Sequence, residues 1–118
     1  LLYQMLLNGG ELGGRRYLSP ETFRVFTTTL SATSRRGLGF DKPDRRNPRR
    51  SPCCEEAPAS VYGHTGFTGT CAWVDPDHRL VYVFLSNRVF PDVWNNKLSR
   101  LDIRTRIQQA IYKAIGLE

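Results

Sequence analysis

The stretch from Thr70 to Leu85 constrains this chain more than any other. Thr70 to Val74 is rich in strand formers, Asp75-Pro76-Asp77-His78 follows, and Leu80 to Leu85 is almost wholly apolar. Proline at the second position of a four-residue turn presets a tight reversal. Two strand-like runs on either side of such a turn read as an antiparallel hairpin. The second run has almost no polar position, so it is expected at the centre of a sheet, covered on both faces.

The other elements follow from periodicity and punctuation. Leu2, Met5 and Leu6 share a helical face, and Asn8-Gly9-Gly10 supplies its stop. Gly13-Gly14 makes a turn before a short strand at Arg16-Tyr17-Leu18. Ser19-Pro20-Glu21 has the hydroxyl cap, first-turn proline and acid of a helix start, and that helix should run to about Thr28. Leu38 and Phe40, set between glycines, suggest a strand at 36–40, and Val61 to His64 suggests another. A long amphipathic helix is expected over 96–115. Ile103, Ile107, Ala110, Ile111, Ala114 and Ile115 form its apolar face, and Gly116 ends it. Strands joined by hairpins, with no β-α-β unit, imply an α+β fold: an antiparallel β-sheet packed by a C-terminal helix. The expected divisions are a helix-strand-helix connector (1–30), a basic loop (41–60), a motif strand with its hairpin (61–88) and the final helix (96–116).

The net charge is +6, and much of it is local. Lys42, Arg45, Arg46, Arg49 and Arg50 face only Asp41 and Asp44 in the same segment. Such a patch can meet phosphates or anionic surfaces. Three prolines interrupt it and no aromatic is interleaved for base stacking, so a solvated loop is expected and no nucleic acid. The apolar residues near the start are too few to cross a membrane. The chain begins in mid-pattern, and residue 1 is read as a cut inside a larger protein. Three cysteines, Cys53, Cys54 and Cys71, cannot all pair within one chain.

Tyr62-Gly63-His64-Thr65-Gly66-Phe67-Thr68-Gly69-Thr70 carries the chemistry. Glycine at every third position fits neither a dinucleotide loop nor a phosphate loop. Glycine here lets another group approach the backbone, beside one imidazole and two hydroxyls. That edge can bind a carboxylate or carbonyl, and it can equally be a turn-rich entry to the hairpin. Asp75, Asp77 and His78 fit a turn better than a metal site, so no metal and no cofactor are expected. Nothing orients Cys71 and His64 as a thiol nucleophile and base. Trp73 and Trp94 are expected in core or interface packing.

The segment resembles the Lys/His-Thr-Gly motif of the penicillin-recognising serine hydrolases, the β-lactamase and D-alanyl-D-alanine carboxypeptidase superfamily. The ordered set His64-Thr65-Gly66, Asp75-Pro76, Val81 to Arg88 and the upstream Leu6 to Gly10 and Leu18 to Thr22 resembles that family over nearly the whole chain. The resemblance implies part of a β-lactamase/transpeptidase-like fold. It gives His64 the electrostatics around a nucleophile, Thr65 a hydroxyl for the substrate carboxylate or carbonyl, and Gly66 room for substrate. It gives the Phe67 backbone N–H one place in an oxyanion hole. Asn87 and Arg88 resemble residues at the rim of the family's substrate pocket.

Two departures shape the functional expectation. No Ser-x-x-Lys and no Tyr-x-Asn or Ser-x-Asn occurs in the 118 residues, so this piece is not expected to act alone. The motif also carries His rather than Lys, which resembles the peptidases, carboxypeptidases and esterases more than efficient β-lactamases. The implied parent is a serine hydrolase of D-amino-acid peptides or small esters in the bacterial envelope. The alternative is a degenerate relative that binds cell wall or a partner without turnover. A strand edge left without its neighbour invites pairing between chains, so a dimer or larger assembly is expected.

Overall fold

A computed structural model describes residues 1–116. The first helix, α1, spans Leu2–Leu7 and buries Leu6. Gly9 and Gly10 turn the chain with φ of +69° and +97°. A side chain at Gly10 would strike the Leu18 carbonyl at 2.7 Å, so that close crossing requires glycine. A two-residue hairpin follows, β1 (Glu11–Leu12) against β2 (Arg15–Arg16). The expected strand at 16–18 is therefore shifted, with Tyr17 and Leu18 beyond its end. The next helix, α2 (Pro20–Thr27), starts as its sequence requires: the Ser19 hydroxyl accepts from the Thr22 N–H at 3.1 Å.

The main sheet holds β3 (Tyr62–Thr65), β4 (Cys71–Asp75) and β5 (Leu80–Phe84), antiparallel in that order. Tyr62 faces Val74 and Val81 across the ladder, while His64 faces Ala72 and Val83. Alternation gives the sheet two faces. One carries Tyr62 and Val74 and packs on Leu6, with Tyr3, Met5, Phe23 and Phe40 around them. The other carries Cys71, Trp73 and Tyr82 and packs on Tyr112, Ile107 and Ile111 of the last helix.

Several expectations are corrected. β5 is an edge strand rather than the centre, and β4 holds the middle. The apolar run of β5 is covered only in part: Val81 packs on the cluster around Leu6, while Val83 is 50% and Leu85 78% exposed. No strand forms at 36–40, where glycines leave only a single bridge, Asp41 to Gly63. That bridge meets the outer edge of β3 at Gly63 alone, so β3 and β5 are the two edge strands, and among the described residues no strand pairs with the outer side of His64 and Thr65.

The final helix is two. A short α3 (Lys97–Arg100) and a longer α4 (Ile103–Ala114) meet at Asp102, which is left-handed at φ +49°. The kink turns α4 so that Gln108 and Tyr112 face the core. Ala110, Ala114 and Ile115 are exposed despite their apolar spacing. Residues 41–60 are also more than a solvated loop. Cys53, Cys54 and Ala57 enter the core, and the Gln108 carbonyl oxygen accepts the Cys54 N–H at 3.0 Å. All three cysteines are buried and free. Burial raises the pKa of each thiol, Cys54 to about 12, which makes them packing residues rather than nucleophiles. Trp73 lies in the core as expected, whereas Trp94 is 86% exposed.

Candidate functional site

The motif occupies the end of β3 and the turn that leads to β4. Gly66 N–H donates to the Thr70 carbonyl at 2.7 Å and Gly69 N–H to the Gly66 carbonyl at 3.0 Å, closing a tight reversal. Gly69 sits at φ +100°, and a side chain there would meet the Ser86 hydroxyl at 2.5 Å. At Gly63, an added Cβ would lie 2.1 Å from the Ala72 carbonyl oxygen. The glycines are thus fixed by the packing of the hairpin itself.

His64 is exposed, and its Nδ1 lies 2.6 Å from the Thr65 carbonyl oxygen. A carbonyl only accepts, so Nδ1 carries the proton and Nε2 presents the free lone pair in the neutral ring. Strand alternation puts the His64 side chain on the face of Tyr62 and Ala72, and that of Thr65 on the face of Gly63 and Cys71. His64, Thr65, Gly66, Ala72, Val83 and Leu85, with Tyr3 of α1, line an open hollow of about 350 Å³ at the motif end of the sheet. The Phe67 N–H makes no hydrogen bond among the described residues, and its ring is 71% exposed.

Arg88 is anchored against the motif turn. Its Nε donates to the Phe67 carbonyl at 2.8 Å, its backbone N–H to the Thr68 carbonyl at 2.9 Å, and its guanidinium lies 4.6 Å over the Phe67 ring. The same guanidinium donates to the Val93 and Asn95 carbonyls at 3.2 and 3.0 Å. Arg88 therefore ties the motif turn to the loop after β5. From behind, Arg104 of α4 donates to the Gly66 and Thr70 carbonyls at 3.3 and 3.0 Å. Sequence reasoning missed Arg104, which reads there as one more cation on a solvated helix face. Asn87 is exposed at the end of β5. The structure thus brings His64, Thr65, Gly66, Phe67 and Arg88 together. It leaves the Asp75, Asp77 and His78 turn at the opposite end of the hairpin.

Asp75 is buried, and its acceptor positions are taken. Oδ1 receives the Asp77 and His78 amides at 2.9 and 3.1 Å, and Oδ2 lies 2.7 Å from His78 Nδ1. This is a self-satisfied turn.

A helix on each face of an antiparallel hairpin sheet, with His-Thr-Gly on an edge strand beside a bare hollow, defines a class that the comparisons name. The Beta-lactamase family model matches residues 2–104, and the chain belongs to that family. Among its relatives, two proteins of Escherichia coli named "Putative D-alanyl-D-alanine carboxypeptidase" are 37% and 36% identical over 75% of this chain and 20% of their own length. One from Salmonella gallinarum with the same name is 33% identical over 84% of this chain and 23% of its length. A penicillin-binding protein homolog from Caulobacter crescentus matches with a TM-score of 0.53 and 26% identity, over 73% of this chain and 24% of that one. The chain spans about a fifth of the length of the curated relatives it matches.

Proposed function

We propose that this chain forms one wall of the active site of a serine hydrolase acting on D-amino-acid peptides or small esters. The observation that carries the reading is the Phe67 N–H, without a hydrogen-bond partner among the described residues, at the end of the His64-Thr65-Gly66 strand and beside an open hollow. In such an enzyme a serine attacks the carbonyl and water later clears the acyl group. Backbone N–H groups aimed at the developing oxyanion supply the stabilisation, and the Phe67 amide is the donor this chain offers. His64 presents a ring nitrogen toward the hollow, and Thr65 offers its hydroxyl to a substrate carboxylate. Asn87 and the Arg88 clamp shape the rim. The 118 residues hold no Ser-x-x-Lys, so the nucleophile belongs to the portion of the longer relatives that this chain does not span. The open β5 edge, with Val83 and Leu85 bare, is where that portion would join the sheet. In its absence the same edge should pair two copies of the chain, seen as a dimer in light scattering. The reading sets the protein in the bacterial envelope.

A fluorescent penicillin or fluorophosphonate tests it. Labelling of the full-length gene product, but not of the 118-residue chain, is expected. A folded full-length protein that takes no label would instead be a binding relative without turnover.

A further inference from the structure

The loop between α2 and β3 encloses a second hollow, of about 490 Å³, which shares no lining residue with the one beside His64. Its wall carries Arg35, Arg36, Lys42, Arg45, Arg46 and Arg50. Two carboxylates answer these six cations. Asp41 is buried and spent on Arg35, with contacts of 2.7 and 2.8 Å, while Arg36 approaches it at 3.5 Å. Asp44 accepts the Arg46 and Asn47 amides on one oxygen and lies 3.8 Å from Arg35 with the other.

Of the remaining cations, Lys42, Arg45 and Arg46 are held by groups without charge. Arg45 donates to the Glu55 and Ala57 carbonyls, and Arg46 to the Ala32 carbonyl. The buried Lys42 ammonium donates to the Thr27, Val61 and Ser60 carbonyls at 2.8, 3.1 and 3.4 Å. The Arg50 guanidinium makes no hydrogen bond among the described residues. Carbonyls fix these side chains in position without neutralising them. A guanidinium has five N–H donors, so Arg45, Arg46 and Arg50 keep donors to spare. Positive charge gathered in a concave wall concentrates its field on whatever occupies the cavity.

We propose that this hollow binds a small multivalent oxyanion, carrying either phosphate or several carboxylates. The volume suits a small molecule, and no aromatic lines it for stacking a base. Burial, its largest influence, lowers the Lys42 pKa, and a bound anion would draw it back up.

Sodium pyrophosphate and sodium citrate, each titrated into the intact chain at ionic strength held constant with chloride, make the test. The readout is the set of backbone amide shifts in proton–nitrogen NMR. Saturable shifts are expected at Ser34 to Arg36 and Arg45 to Asn47, with half-saturation below ~1 mM. The double variant Arg36→Gln/Arg50→Gln removes two exposed guanidiniums; Arg50 makes no side-chain hydrogen bond among the described residues, and Arg36 makes only the 3.5 Å contact to Asp41, which Arg35 already holds. It should bind roughly tenfold or more weakly, because each charge-assisted contact is lost. Arg36→Lys/Arg50→Lys should bind between the two. Saturation by pyrophosphate alone assigns a phosphate ligand, and by citrate alone a polycarboxylate. The proposal is overturned by shifts that never saturate with either anion, by saturation centred elsewhere, or by unchanged affinity in the folded glutamine variant.

Discussion

The Tyr112 hydroxyl donates to Asp75 Oδ2 across 2.6 Å, joining α4 to the turn that connects β4 and β5. Both residues are buried, and the same carboxylate organises the turn through its other oxygen. Tyr112→Phe keeps the ring in the core and removes only this bond. The expected cost is about 1.5–3 kcal/mol, the net value of a hydrogen bond to a charged group. Asp75→Ala strips the turn of its cap and leaves the Tyr112 hydroxyl unpaired in the core, so about 3 kcal/mol is expected. Urea denaturation at neutral pH measures both. A Tyr112→Phe midpoint equal to that of the wild type would show that the bond adds nothing.

Gly63 lies opposite Trp73 in the β3–β4 ladder. A Cβ there would meet the Ala72 carbonyl oxygen at 2.1 Å and the Trp73 backbone at 2.8 Å, and neither can move without opening the ladder. Gly63→Ala should therefore cost on the order of 3 kcal/mol or prevent folding. At Gly66 the first atom met is the Thr70 hydroxyl, at 2.2 Å. Gly66→Ala should be relieved in part by Thr70→Ala. Denaturation of both single variants and the pair measures this coupling, and strict additivity would refute it.

The central hairpin was legible because its signals are local: a proline turn and two β-rich runs. The Ser19 cap was legible for the same reason. What the sequence concealed depends on distant partners. The Leu80 to Leu85 run reads as central, yet strand order is set by what pairs with its outer edge. The break at Asp102 lies inside a continuous apolar pattern, and only the packing of Gln108 and Tyr112 shows which way α4 turned. In the candidate site, His64 to Phe67 could be read as a motif because they are contiguous. The Arg88 and Arg104 clamps could not, since each donates to carbonyls more than twenty residues away.

Arg88 gives that clamp a measurable consequence. Arg88→Ala removes the side-chain bonds to Phe67, Val93 and Asn95 while leaving the core untouched. Global stability should fall by only about 1 kcal/mol, in keeping with a part-exposed site. The turn should loosen much more. Amide exchange at Thr68 and Gly69, and the nitrogen relaxation of Phe67, should rise severalfold, while β4 amides stay as protected as before. Arg88→Lys cannot span three carbonyls and should resemble the alanine variant. Unchanged exchange at 67–69 would mean that the turn holds itself.

The buried thiols and phenols set the response to alkali. Burial raises the pKa of Cys53, Cys54 and Cys71 above the ordinary 9.0, and of Tyr3, Tyr62, Tyr82 and Tyr112 above the ordinary 10.0. Above those ordinary values the unfolded chain loses protons that the folded chain keeps, so stability falls as pH rises. Lys42 has the opposite sign: its folded pKa is lowered, and unfolding would take up a proton there. It is one group against seven thiols and phenols. The urea midpoint should hold steady to about pH 8. From pH 9 the unfolding free energy should decline, and the midpoint with it, by up to roughly 1.4 kcal/mol per group for each further pH step. Cys53→Ala/Cys54→Ala should lower stability at every pH while making the decline between pH 9 and 10 shallower, because two of the three early-titrating groups are gone. A midpoint that rises through this range would place Lys42, not the thiols and phenols, in control of the alkaline limit.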